Sequence, residues 1–106
     1  MLFETTTTYD GKVIVRVKCN LDTMKLAADF KEVLQKLYDD DVNDVILDLN
    51  EVKLINSNGI GKILMFYKRF SDRGGQMYYL SPLEGIVKEL FETLLLTNLL
   101  KEYKMG

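Results

Sequence analysis

Residues 45–61 constrain this chain more than any other stretch. Val45 to Leu49 is an almost continuous apolar run, broken only by Asp48, and Val52 to Ile55 is a second apolar stretch. A small polar triplet follows, Asn56, Ser57 and Asn58, and then two glycines, Gly59 and Gly61. Apolarity on successive residues suits a strand covered on both faces. The residues after Ser57 change to helical spacing, and Gly74-Gly75 should end that helix near Arg73. The segment therefore reads as strand, turn, helix, with a hydroxyl presented at the helix start among residues of little bulk.

The flanking residues extend this unit. Thr-rich residues 2–8 read as an edge strand, Asp10-Gly11 as a hairpin turn, and Val13 to Val17 as a second strand antiparallel to the first. Asp22 or Thr23 can cap a helix over roughly 23–38, with Ala27, Phe30, Leu34 and Leu37 on its inner face. The three carboxylates of Asp39, Asp40 and Asp41 oppose the helix dipole and should stop it near Tyr38. Gln76 to Leu80 is a short strand. Ser81-Pro82-Leu83-Glu84 carries the signature of a capping box and predicts a helix with Ile86, Val87, Leu90, Phe91 and Leu94 inward. Thr97 to Tyr103 reads as one more short helical or strand piece. The order is β-β-α-β-α-β-α plus a C-terminal element, an α/β fold with a mixed four- to five-stranded sheet and helices packed against it.

At 106 residues the chain is sized for one domain, and 47% hydrophobic with 28% charged residues fits a soluble globular protein. A formal net charge of −2 supplies no positive field for nucleic acid. The apolar runs are far too short to insert in a membrane, and the start has no signal-peptide pattern. The single cysteine, Cys19, cannot form an internal disulfide, which points to the cytoplasm. The sequence has no His, so the usual proton shuttle and the commonest metal ligand are both missing.

Several chemistries can be weighed and set aside. Gly59-Ile60-Gly61-Lys62 lacks the Walker pattern: Asn56 stands where a Gly is needed and Ile63 where Ser or Thr is needed. Leu64 occupies the third small position of a dinucleotide fingerprint. Asp48 and Glu51 read as a strand-end residue and a loop residue rather than a metal pair. Cys19 reads as a small buried residue, since a reactive thiol wants a cationic or helix-terminal setting. No cofactor and no metal is expected.

Around the helix after Ser57, at 100° per residue, Ile60, Ile63, Leu64, Tyr67 and Phe70 gather on the side expected to face the core. Gly61, Lys62, Met65, Lys68, Arg69 and Asp72 gather on the other side, either as a solvated face or as a docking surface. Ser57 itself has no base to make it a nucleophile. It is either the N-cap of the helix or an acceptor for a phosphoryl group, which would meet free helix N–H groups and the positive end of the dipole there.

The run from Asp48 to Gly61 resembles the signature of anti-sigma factor antagonists, the bacterial STAS-domain proteins. In those the usual pattern is an apolar strand, Asp-Leu, a short linker and Asp-Ser-Ser/Thr-Gly-Leu-Gly. Asn20-Leu21-Asp22 is similar to the family's Gly-Glu-Leu-Asp segment, Gly74-Gly75 matches the usual end of its second helix, and Ser81-Pro82 with Val87 through Phe91 resembles its third. The likeness covers nearly the whole chain and implies a single STAS-like domain over residues 1–106. It also implies a protein that is not an enzyme. Such a protein binds an anti-sigma factor, often a serine kinase, and so releases a sigma factor. Phosphorylation of the residue at Ser57 dissolves the complex and a phosphatase resets it. The resemblance places Asp22 near the turn from Asn56 to Gly61 at the docking end of the domain, and the helix face read above adds Lys62, Met65 and Arg69 to the expected partner contact. It implies no nucleic-acid partner and a monomer or weak dimer. A constitutive scaffold subunit in a signalling or transport complex, without phosphorylation, is the alternative. Asn56 stands in place of the common Asp, Asn58 in place of Ser or Thr, and Cys19 where Gly is frequent. Asn58 thereby leaves Ser57 as the sole hydroxyl of the motif.

Overall fold

The computed structural model describes residues 2–104. The sequence-derived bounds 1–106 thus include Met1, Met105 and Gly106, which lie outside the described residues. Two strands come first, β1 (Phe3–Thr7) and β2 (Val13–Val17), followed by α1 (Met24–Asp39) and β3 (Asp44–Asp48). Then come α2 (Ser57–Asp72), β4 (Gln76–Leu80), α3 (Gly85–Thr93), the one-turn α4 (Leu96–Leu99) and β5 (Lys101–Tyr103). The five strands form one mixed sheet in sequence order, with β1 antiparallel to β2 and all later neighbours parallel. The C-terminal piece expected as helix or strand is both, α4 and then β5. β1 is an edge strand, and Gly11 turns the hairpin at φ +86° with its N–H donating to the Thr8 carbonyl.

The core lies between one face of the sheet and the helices. Val15, Val17, Val45, Leu47 and Met77 face Phe30 and Leu34 of α1, Ile63, Phe66 and Phe70 of α2, and Val87 and Phe91 of α3. Ile46 points to the opposite face and is also fully buried, in register with Ile14 and Tyr78. Tyr78 meets Tyr103 edge-on there, ring centroids 6.0 Å apart. Apolarity on successive residues of β3 thus reflects two covered faces, one of them helical.

The α1 helix ends at Asp39, next to the expected stop, and of the two candidate caps Thr23 is the one used, its Oγ1 accepting from the Leu26 N–H. Two sequence expectations change. The Ser81-Pro82-Leu83-Glu84 signature does not start α3, which begins at Gly85 after a Glu84 with no side-chain cap. The backbone N–H of Ser81 is taken by the carbonyl of Tyr103 at 3.0 Å, so Ser81 closes the β4–β5 pair instead of opening a helix. Of the apolar residues assigned inward on α3, Val87 and Phe91 are buried, while Ile86 and Leu94 are 40% and 49% exposed. A helix of nine residues offers the core one narrow face, and the apolar stripe of α3 is wider than that face.

Candidate functional site

The site forms where β2 and β3 end. These neighbours are parallel, so the loops that leave their carboxyl ends emerge side by side. Residues 18–23 lead from β2 into α1, and residues 49–56 lead from β3 into α2. Leu49 and Val52 turn back into the core, with the Val52 N–H bonded to the Leu49 carbonyl.

The two loops are laced together. Asn20 Oδ1 accepts from the N–H groups of Lys53 and Leu54, at 2.9 and 3.0 Å. The Leu21 N–H donates to the Leu54 carbonyl at 2.9 Å, and the Asn56 N–H returns a bond to the Leu21 carbonyl at 3.1 Å. Buried Leu21 also makes a parallel bridge with Ile55. Asp22, placed near the 56–61 turn by family resemblance, does lie against it: the Asn56 side-chain amide donates to the Asp22 carbonyl at 2.9 Å.

Asn56 is the N-cap of α2. Its Oδ1 accepts from the N–H groups of Asn58 and Gly59, at 3.0 and 3.3 Å. Ser57 is therefore not the cap but the first helical residue, and it is exposed. Among the described residues its hydroxyl makes no hydrogen bond. The expectation that a phosphate on Ser57 would meet free helix N–H groups narrows to the Ser57 N–H, which has no hydrogen-bond partner among the described residues. The Asn58 and Gly59 donors belong to Asn56, and the Ile60 N–H belongs to the Asn56 carbonyl.

The two glycines differ. A Cβ on Gly59 would lie 2.8 Å from the Leu21 carbonyl oxygen and 2.9 Å from Ile55 Cγ1, so Gly59 lets α2 sit directly on the β2–α1 loop. A Cβ on Gly61 would meet nothing within 4 Å. Gly61 is exposed and keeps the surface beside Ser57 low. Ser57 and Gly61 line an open groove of about 410 Å³ between α2 and α3. Its apolar wall is Ile55, Ile60, Leu64, Leu90 and Leu94. Sequence reasoning missed this groove because it placed Leu64 and Leu94 in the core. Leu64 is 38% exposed, whereas Phe66, two positions on, is fully buried. The buried face of that helix runs through Gly59, Ile60, Ile63, Phe66 and Phe70, turned away from Leu64.

The remaining sequence-derived contact residues spread out. Asn56, Ser57, Asn58 and Gly61 are exposed, Asp22 and Lys62 are half-buried, and Gly59 and Ile60 are buried. Met65, expected to be exposed, is half-buried and packs on the core. Arg69 donates to Gln35 Oε1 of α1 at 2.6 Å and covers the Phe66 ring at 4.9 Å, so it ties α2 to α1 well away from Ser57. Asp48 accepts from the Asn50 N–H and Glu51 pairs with Arg16 at 3.0 Å, which occupies both carboxylates. Among the described residues no group of three His, Cys, Asp or Glu side chains could hold a metal ion. Cys19 is half-buried, and burial pushes its thiol pKa up, with the Asp29 and Asp22 carboxylates adding to the shift. A raised pKa favours the protonated thiol over the nucleophilic thiolate. Among the described residues no helix is long and apolar enough to cross a membrane.

The family model of the STAS domain matches residues 5–105 of the chain. Among solved structures, TM1081 of Thermotoga maritima, a candidate anti-sigma factor antagonist, is 26% identical and superposes with a TM-score of 0.84. That match covers 97% of this chain and 86% of the other. An anti-sigma factor antagonist from Mycobacterium paratuberculosis is 18% identical, with a TM-score of 0.77 over 95% of this chain and 85% of that one. The phosphorylated form of SpoIIAA, a Bacillus cell fate determinant, is 16% identical, with a TM-score of 0.73 over 95% and 90% of the two chains. The last two likenesses carry the fold.

Proposed function

The chain belongs to the STAS domain family, and on that premise we propose that it is an anti-sigma factor antagonist switched by phosphorylation of Ser57. In its unmodified form it binds an anti-sigma factor with serine kinase activity and so frees a sigma factor in the cytoplasm. The kinase modifies Ser57 and the complex dissolves; a phosphatase restores the hydroxyl. The protein acts by association, without turnover and without a cofactor.

The observation that carries this reading is the placement of Ser57. Its hydroxyl is exposed, free of side-chain bonds among the described residues, and set at the edge of an open apolar groove with a bare glycine beside it. An apolar partner side chain can enter that groove only if the surface around Ser57 is also covered. A phosphate there brings nearly two negative charges into a contact that must be dry. With the helix donors of Asn58 and Gly59 already committed to Asn56, the phosphate gains no compensating bonds from them. An unpaired buried charge costs several kcal/mol, enough for a loss of about a hundredfold or more in affinity.

The test is incubation with the anti-sigma factor of the source organism and ATP, followed by phosphopeptide mapping. Label should fall on Ser57, and Ser57→Ala should take up none. Stable binding of that factor with no label on Ser57 would replace the switch with a constitutive scaffold.

A further inference from the structure

We infer that Asn56 is the positioning residue of the Ser57 site, and that it works as an amide in a way no carboxylate or hydroxyl can reproduce. The inference rests on the reading of Ser57 as the regulated hydroxyl for its functional half only; the structural half stands on geometry.

The geometry is a two-way clamp. Asn56 Oδ1 points into the first turn of α2 and accepts from two N–H groups. That fixes the side-chain plane and leaves Nδ2 on the other side, where it donates to the Asp22 carbonyl 34 residues away in sequence. Asp, Asn and Ser serve about equally well as helix N-caps. Only Asn carries a donor as well as the capping acceptor in the required place. A carboxylate would cap α2 and turn its second oxygen toward the oxygen of Asp22. A serine would cap α2 and reach no further. Cap and clamp are therefore separable functions of one residue.

Ser57 follows directly, and with no hydrogen bond to its hydroxyl among the described residues that hydroxyl stands where the Asn56 backbone puts it. The clamp joins the bond from the Asn56 N–H to the Leu21 carbonyl in fixing that backbone relative to the Asp22 loop. An enzyme or partner that reads both elements meets them as one surface. Other bonds between the loops remain when the clamp is lost, including Leu21 N–H to Leu54 and Asn20 to Lys53 and Leu54. The expected loss is local loosening and not unfolding.

The test compares Asn56→Asp and Asn56→Ser, which keep the cap, with Asn56→Ala, which keeps neither function. Amide hydrogen exchange is followed residue by residue, and Ser57 phosphorylation is timed in an extract of the source organism supplied with ATP. In both cap-competent variants the Asn58 and Gly59 amides should stay protected. The amides of Leu21 and residue 56 should exchange about tenfold faster, as for one lost hydrogen bond. Phosphorylation should slow in both, which separates loss of the clamp from the charge of the new aspartate. In Asn56→Ala all four amides should loosen. Wild-type exchange at Leu21 in Asn56→Asp would overturn the clamp. Faster exchange with unchanged phosphorylation would overturn the positioning role. If the extract leaves the wild-type protein unmodified, the reading of Ser57 fails, and exchange at Leu21 still decides the clamp.

Discussion

Gly59 and Gly61 sit two residues apart on the first turn of α2 and do unrelated work. At Gly59 an added methyl group would run into the Leu21 backbone, and neither the helix nor the laced loop can yield cheaply. Gly59→Ala is expected to lower stability by about 1–3 kcal/mol, as overpacking does, read as a reduced denaturant midpoint. Gly61→Ala points into open space and removes a helical glycine, so stability should hold or rise by a few tenths of a kcal/mol. Binding should then weaken through bulk beside Ser57 alone. Cys19 gives a second test at this scale. Because burial raises its thiol pKa, it should alkylate with iodoacetamide more slowly than a free cysteine peptide at neutral pH. The deficit should shrink as pH rises above the ordinary thiol range. Alkylation at the peptide rate at neutral pH would contradict the raised pKa of Cys19.

The decisive question for the helices is which face of α2 is inside. Phe66 is fully buried, while Leu64, two positions earlier, lines the groove. Phe66→Ala should cost about 3–5 kcal/mol, whereas Leu64→Ser should shift stability by about 0.5 kcal/mol or less and weaken partner binding. Thermal unfolding of the two variants side by side separates the faces. A large loss in Leu64→Ser would mean that the helix is rotated the other way. The sequence alone favours that wrong rotation, because Leu64 and Phe66 are both apolar and the period leaves the centre of the stripe open. What decides it is Gly59, whose contact with Leu21 seats the helix, and Arg69, which lies against α1. Both are long-range contacts. The start of α3 was misread for a related reason: the Ser81 amide looks free to open a helix until β5 returns 22 residues later to bond it. By contrast β3, β4, the β1–β2 hairpin and the start of α2 were legible, because their signals are local: period, turn residues and small polar residues before a helix.

For the molecule as a whole, the site follows from topology. Parallel β2 and β3 deliver two loops to the same end of the sheet, and α3 packs beside α2 to close one wall of the groove. The meeting of Asp22 with the 56–61 turn was legible only through family resemblance, since nothing local links residues 34 apart. The groove was not legible at all, because it exists only once α2 and α3 are packed. The most direct measurement is calorimetric titration of the partner anti-sigma factor with three forms of this protein: unmodified, phosphorylated on Ser57, and Ser57→Ala. The unmodified and alanine forms should bind alike, and the phosphorylated form about a hundredfold or more weaker. Equal affinity for all three would contradict the account.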